Sequence, residues 1–325
     1  MLFRGGSLIM SRRVLITGAS GFVGAHLVAG FRAAGWAVFA GMRRESDPWR
    51  MNALMGKAAD VDTIELDLRN PEEFSAALGR VRPQVVINGA AYGVDSAHHD
   101  FNHAVVCNVQ GPTLLMEAAS AARVERFIHL GTGYEYGEHP GPITEDAALC
   151  PSDLYAASKA AGSILALERA GALGSRLVLL RPFGLYGFLE GPHKLFPQLI
   201  RACRDGERVE FTPGDQVRDY IHVTDLVRVC LMAVEHPRLP PVARFNIGSG
   251  TGLSLRQLGT RIAAIVGRRK VGLAWGARPY RQGEIDSLVA DPQAANVQLG
   301  WRPRVSLEEG IRGMLVCPEP ARAQA

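Results

Sequence analysis

No cysteine pair in this chain has the spacing of a metal site or a redox motif. The five cysteines, Cys107, Cys150, Cys203, Cys230 and Cys317, are scattered, odd in number and without a CxxC. They imply neither a disulfide framework nor a bound metal, and they suit a reducing cytoplasm. A dense basic run is also missing. The net charge of +4 suits an anionic small molecule and falls short of a nucleic-acid signature. No apolar run reaches the length of a membrane span, so no membrane partner is expected. Residues 1–9 lack the long apolar segment of a signal peptide and are expected to be a disordered extension ahead of Met10. Apolar residues as such are plentiful. With 325 residues and 47% hydrophobic content, the chain can build one large core or two modest ones.

The stretch from Arg13 to Arg44 organises the rest. Val14, Leu15 and Ile16 read as a short buried strand. Thr17-Gly18-Ala19-Ser20-Gly21-Phe22-Val23-Gly24 follows, with glycines at three-residue spacing, and then a helical pattern through Leu27, Val28 and Phe31. Ala37 to Ala40 read as a second strand. Glycines at this spacing also occur in ordinary strand-to-helix turns, but a strand before and a helix after select a dinucleotide site. Gly18 is expected to allow the turn, Gly21 to admit a pyrophosphate to the helix N-terminus, and Gly24 to let the helix lie close to the strand. The second strand runs into Gly41-Met42-Arg43-Arg44 with no acid to hold a ribose 2′-hydroxyl. Two arginines there suit a 2′-phosphate, so NADP(H) is preferred, with NAD(H) as the alternative.

Three further strands are expected at Thr63–Leu66, Val85–Ile87 and Phe127–His129, alternating with helices, one of them from about Asn102 to Ala122. That alternation implies an α/β fold with a doubly wound parallel sheet. Asp67 closes the third strand, where it either accepts from an adenine amine or serves as a turn residue. Asn88-Gly89-Ala90-Ala91 closes the fourth with small residues that leave room for a ribose and phosphates. Leu130-Gly131-Thr132-Gly133 closes the fifth. Tyr155 and Lys159 then fall four residues apart on an Ala-rich helical stretch and so share a face. An ammonium beside a phenol favours the phenolate, so the pair reads as a general acid–base with a lowered tyrosine pKa.

At this point the chain resembles the extended short-chain dehydrogenase/reductases, in the nucleotide-sugar epimerase/dehydratase/reductase group. The likeness is carried by the TGASGFVG turn, Asp67-Leu68, Ala90-Ala91, Asn108, Thr132, the YxxxK pair, Arg181-Pro182-Phe183, the Val217–Val223 stretch VRDYIHV, the Asn246–Gly250 stretch NIGSG, Arg281-Gln282-Gly283-Glu284 and Leu299–Pro303. The resemblance implies a Rossmann domain over residues 10–185 that also receives segments near 219–250, and a smaller interleaved substrate domain from 186–218 and 251–318. It assigns Gly18, Ser20, Gly21, Phe22, Val23, Gly24, Arg43, Arg44, Asp67, Leu68, Ala90, Ala91, Asn108, Tyr155, Lys159, Pro182 and Phe183 to the cofactor. It assigns Thr132, Tyr134, Gly184, Lys194, Leu195, Arg218 and Arg281 to a nucleotide-diphosphate sugar, with Arg218 and Arg281 clamping the diphosphate. Thr132, Tyr155 and Lys159 are the implied catalytic set, His222 and Asp225 are implied to be structural, and a homodimer is implied.

The resemblance also frames the reaction. Dehydratases of the group place an Asp-Glu pair directly after the fifth-strand threonine, and this chain has Gly133-Tyr134 there. Glu135 falls one place later and is expected to point elsewhere. Epimerases and dehydratases usually carry an Asn where this chain has Gly184. With Arg43 and Arg44, these departures favour an NADPH-dependent reductase of a 4-keto-6-deoxyhexose carried on a nucleotide diphosphate. An NAD-dependent 4-epimerase is the alternative, and a non-catalytic NADP(H)-binding sensor the remote one.

Overall fold

The computed structural model describes residues 12–56, 61–93, 99–267, 272–281 and 283–316; the expected N-terminal extension lies outside them. The first half alternates as expected. β1 (Arg13–Thr17), α1 (Phe22–Ala33), β2 (Ala37–Met42), α2 (Trp49–Met55), β3 (Asp62–Glu65), α3 (Glu72–Val81) and β4 (Val85–Asn88) lead to α4 (Phe101–Val105). A π-turn over Val106–Gln110 joins α4 to α5 (Gly111–Ala121), and β5 (Arg126–Leu130), a 3-10 turn over Gly133–Tyr136, α6 (Leu154–Ala172) and β6 (Leu177–Pro182) follow. The second half holds β7 (Gly184–Tyr186), α7 (Leu195–Asp205), β8 (Val209–Glu210), β9 (Val217–His222), α8 (Val223–Glu235), β10 (Val242–Ile247), β11 (Gly252–Ser254) and α9 (Leu255–Val266). It ends with β12 (Leu273–Ala274), β13 (Ser287–Leu288), α10 (Gln293–Leu299) and α11 (Leu307–Val316).

Seven strands form one parallel sheet in the order β10-β6-β5-β4-β1-β2-β3. The central strands β1, β4, β5 and β6 are buried almost throughout because both faces of the sheet are covered there, whereas β3 at the edge is largely exposed. Val14, Ile16, Ile87, Ile128 and Leu180 face α1 and α8 in one core, while Leu15, Val86, Phe127 and Leu179 face α3, α5 and α6 in the other. The strand order reverses between β1 and β4, which opens a crevice at the carboxyl ends of these strands.

The single helix expected over Asn102–Ala122 is interrupted in the middle. Pro112 has no N–H to give the carbonyl of Asn108, and the ladder widens into the π-turn there. A helix stands at Trp49–Met55, where the sequence reads as irregular; it is anchored by buried Met51. The smaller lobe gathers β7, β9, β11 and β13 with α7, α9 and α11 around Phe196, Leu199, Leu258, Ile262 and Ile311.

Candidate active site

The glycine turn forms as a cradle. Gly18 sits at φ +68°, and a Cβ on it would lie 2.8 Å from the backbone of Ala90. Gly24 is pressed against the turn, where a Cβ would lie 2.8 Å from the Ala19 Cα. No side chain caps α1 at Gly21, and its first turn carries no acid. The positive end of the helix is therefore left for an anion. Ser20, Phe22 and Val23 border it and remain partly accessible. Arg50, from α2, donates to the Ser20 carbonyl and to the Leu189 carbonyl, tying the turn to the loop after β7.

At the far end of the crevice the arginines are engaged. Arg44 makes a forked pair with Glu65 through Nε at 3.0 Å and NH2 at 3.1 Å, and Arg43 lies 3.4 Å from Glu45. Asp67 accepts from the backbone and the guanidinium of Arg69. Burial raises the Asp67 carboxyl's pKa, but the Arg69 hydrogen bonds outweigh it and hold the group below its usual value. Arg69 thus becomes a third guanidinium beside Arg43 and Arg44. Its position four residues past the end of β3 gave no separate signal. Leu68 is buried against the helices.

Asn108 is fully buried and its amide is committed to protein. Its Oδ1 accepts from the Tyr92 N–H, and its Nδ2 donates to the Tyr92 carbonyl and to Ser158 Oγ. It holds the loop that carries Ala90 and Ala91. Ala90 in turn donates to Thr17 Oγ1 at 3.3 Å.

Thr132, Tyr155 and Lys159 meet at the ends of β5 and α6. Tyr155 faces the Thr132 side chain, and Lys159 Nζ donates to the Leu130 carbonyl at 2.6 Å. The expected lowering of the phenol's pKa is reversed. Burial pushes it up, the Glu135 carboxylate pushes it further, and the nearby Thr132 hydroxyl opposes both in part. Lys159 moves the other way: burial lowers it to about 8, against the pull of Glu135. Tyr155 is thereby kept as a proton donor, while Lys159 sits where it can give up and regain a proton near neutral pH.

Glu135 turns into the core, away from the crevice. Its carboxylate accepts from the Thr132 N–H at 2.9 Å, from Ser163 Oγ at 2.9 Å and from Arg181 Nε at 2.7 Å. Gly133 has no room for a side chain. A Cβ there would stand 2.9 Å from the ring of Phe183, which follows buried Pro182. Gly184 is closed in the same way, with the Asp219 carbonyl and the Tyr220 ring each 2.6 Å from its missing Cβ.

On the substrate side, Arg218 is buried and pairs with Glu284 at 2.8 Å. That pair draws in the turn in which the Glu284 N–H donates to the Arg281 carbonyl, and the Arg281 side chain is exposed. Lys194 and Leu195 begin α7, and Tyr134 lies partly exposed beside Thr132. His222 caps α8, and Asp225 accepts from the backbone of Arg304 and Val305. Two groups to which the sequence assigned no role stand out. Glu190 Oε2 and Tyr220 OH are buried without a hydrogen-bond partner, and burial raises Glu190 to about 8. Among the described residues no cluster of His, Cys, Asp and Glu could hold a metal, and no helix is long and apolar enough to cross a membrane.

A doubly wound sheet with an uncapped glycine turn and a Thr–Tyr–Lys set defines a dinucleotide-dependent enzyme of the short-chain dehydrogenase/reductase class. A family model described as the NAD dependent epimerase/dehydratase family matches residues 14–248, and the chain belongs to that family. It is 30% identical to a dTDP-glucose 4,6-dehydratase of Streptomyces griseus, over 93% of this chain and 92% of that protein. It is also 30% identical to a UDP-glucose 4-epimerase of Mycolicibacterium smegmatis, over 92% of this chain and 96% of that protein. Among solved structures, MoeE5 in complex with UDP-glucuronic acid and NAD superposes with a TM-score of 0.82 at 32% identity, covering 93% of this chain and 97% of that one. The UDP-glucose 4-epimerase of Thermotoga maritima, solved with UDP-glucose, gives 0.82 at 26% identity with the same coverage.

Proposed function

We propose that this protein reduces the C4 ketone of a nucleotide-diphosphate 4-keto-6-deoxyhexose with NADPH, in the cytoplasm, as a step of deoxysugar synthesis. The observation that carries this reading is the closed position at Gly133. Relatives with dehydratase chemistry need an acid there, and the Phe183 ring fills that space. An elimination across C5–C6 then has no carboxyl group at that position to protonate the leaving hydroxyl, whereas ketone reduction needs only the Thr–Tyr–Lys set.

The residues suit a dinucleotide. The Gly18 to Gly24 cradle and the uncapped N-terminus of α1 would take its pyrophosphate. Arg43, Arg44 and Arg69 favour a 2′-phosphate, which would compete with Glu65 for Arg44. When bound, the nicotinamide supplies the hydride. Thr132 and Tyr155 orient the C4 oxygen, and Tyr155 gives it a proton as negative charge develops. Lys159, with a pKa of about 8, restores that proton to Tyr155. Arg218 and Arg281 would hold the diphosphate, which fixes C4 relative to Tyr155. Glu190 and Tyr220 offer their unpartnered polar atoms to the sugar or the diphosphate.

The 4-epimerase reading has support of its own. Epimerases stand among the structural neighbours, one of them from Bacillus cereus with UDP-glucuronic acid and NAD at 26% identity and a TM-score of 0.83. The engagement of Arg44 by Glu65 also suits a cofactor without a 2′-phosphate. Exposed apolar residues on the helices α4 to α6, Phe101, Leu114, Ile164 and Leu165, support a homodimer. The test is loss of NADPH or NADH absorbance with CDP-, GDP-, dTDP- and UDP-linked 4-keto-6-deoxyhexoses. Oxidation with one of them, faster with NADPH, is the expected result. No oxidation, together with interconversion of an intact NDP-hexose, would replace the reductase with the epimerase.

A further inference from the structure

Glu135 lies beneath the reacting groups without touching the crevice. It is fully buried between two aromatic residues of the 3-10 turn. Oε1 accepts from the Thr132 N–H and from Ser163 Oγ on α6, and Oε2 accepts from Arg181 Nε on β6. Arg181 continues to Tyr136 OH at 3.0 Å, Tyr136 OH donates to Asn246 Oδ1 at 2.8 Å, and Asn246 Nδ2 donates to the Ile143 carbonyl. One carboxylate therefore joins the end of β5, the third turn of α6, β6 and, through Arg181, β10. The backbone is shaped around it. A Cβ at Gly131 would collide with Oε1 and lie 3.1 Å from the Arg181 side chain.

We propose that Glu135 is a positioning residue for the Thr132–Tyr155–Lys159 set. It fixes the Thr132 backbone by direct acceptance and places a carboxylate, paired with Arg181, behind the tyrosine and the lysine. A purely structural brace at this position would not need an ion pair, because apolar residues of similar volume usually serve a core as well or better. The pair gives what apolar residues cannot: an acceptor for the Thr132 N–H and a charge of fixed sign. That charge acts on both titrating groups, making the Tyr155 proton harder to remove and the Lys159 proton easier to keep. The other groups around the cluster are Arg181 from β6, Tyr136 on the same turn, Asp153 and Tyr134 facing Tyr155, and His129 from β5. Burial, with Lys159 and Arg181 adding to it, keeps His129 neutral.

The inference rests on Tyr155 and Lys159 being the acid–base pair, so its test includes a reading that needs no substrate. The chain has only four lysines, so Lys159 can be followed in the full-length protein by NMR of ε-labelled lysine, with Lys159→Arg to assign the signal. The wild type should titrate near pH 8. Glu135→Gln keeps an acceptor for the Thr132 N–H and removes the charge, which should lower the Lys159 midpoint by roughly one pH unit. Ser163→Ala removes a neutral hydrogen bond from the same carboxylate and should leave the midpoint in place. Where turnover is measurable, Glu135→Gln should also draw the alkaline limb of the kcat profile to lower pH, with KM changed less than kcat. If Glu135→Gln does not fold beside an unpaired Arg181, the double variant Glu135→Gln/Arg181→Gln removes both charges and is held to the same expectation. A Lys159 midpoint that stays or rises in the folded variant overturns the proposal. Absence of turnover on every nucleotide sugar would count against the reductase and leave the lysine titration to decide this point.

Discussion

Lys159→Met separates what the active-site lysine does for chemistry from what it costs the fold. A lysine titrates at 10.5 in the reference state and at about 8 in this site. Keeping it charged in the native core therefore costs about 3 kcal/mol. Below pH 8 both the native and the unfolded chain hold the proton, and the whole penalty stands. Between pH 8 and 10.5 the unfolded chain holds it and the native chain does not, so stability rises with pH. Above 10.5 neither holds it and the penalty is gone. Methionine keeps most of the stem and removes the titration. It also leaves the buried Leu130 carbonyl without its donor, a loss of about 1–2 kcal/mol. At pH 7 the variant should then be the more stable protein by about 1–2 kcal/mol, although inactive. Urea unfolding of both proteins from pH 7 to pH 10 gives the comparison, and the difference should swing toward the wild type by about 2–3 kcal/mol across that range. Taking the difference cancels the cysteines and tyrosines that titrate in both. A difference that stays flat with pH would refute the claim that Lys159 is held in its site with a lowered pKa.

Tyr155→Phe should fold normally, bind the dinucleotide and lose about a hundred- to ten-thousand-fold in turnover, as read by NADPH oxidation with a verified substrate. Gly133→Asp should lower stability by about 1–3 kcal/mol, because the side chain must displace Phe183, and product analysis should show no 4,6-dehydration. Arg43→Ala/Arg44→Ala should reduce the preference for NADPH over NADH by about tenfold or more in kcat/KM, leaving NADH turnover close to its original value. Ile164→Asp, placed on the exposed apolar face of α6, should convert a dimer to a monomer in light scattering without changing the circular dichroism.

Five of the seven strands of the sheet were legible, β6 and β10 were not, and the central strands were the plainest because they are buried on two faces and so spell runs of apolar residues. Val14 to Ile16 and Val85 to Ile87 cannot be read as amphipathic surface elements. The glycine turn was legible because its requirements are local: one left-handed residue at Gly18 and close backbone approach at Gly24. The π-turn was not, even though Pro112 stands in plain sight. A proline near a helix start is compatible with an uninterrupted helix beginning there, and only contact with Tyr92 and Ser158 makes the wider turn worthwhile. Helix α2 was missed because its seven residues carry a single buried side chain, Met51, and leave no periodic stripe.

The candidate site divides along a different line. Tyr155 and Lys159 are four residues apart on one helix, so their spacing alone brings them together. The charge that acts on both of them is distant in sequence: Glu135 lies 20 positions before Tyr155 and is itself held by Arg181 across 46 positions. This is why the direction expected for the tyrosine was the opposite of that found. An i,i+4 ammonium was visible, whereas burial and a carboxylate beneath it were not. The same distinction changes the meaning of the missing acid at Gly133. In the sequence it is one absent functional group, and one substitution would restore it. In the structure it is one half of a packing pair with Phe183, as Gly184 is with Tyr220. A change of reaction at this site would therefore need each glycine and its aromatic partner to change together.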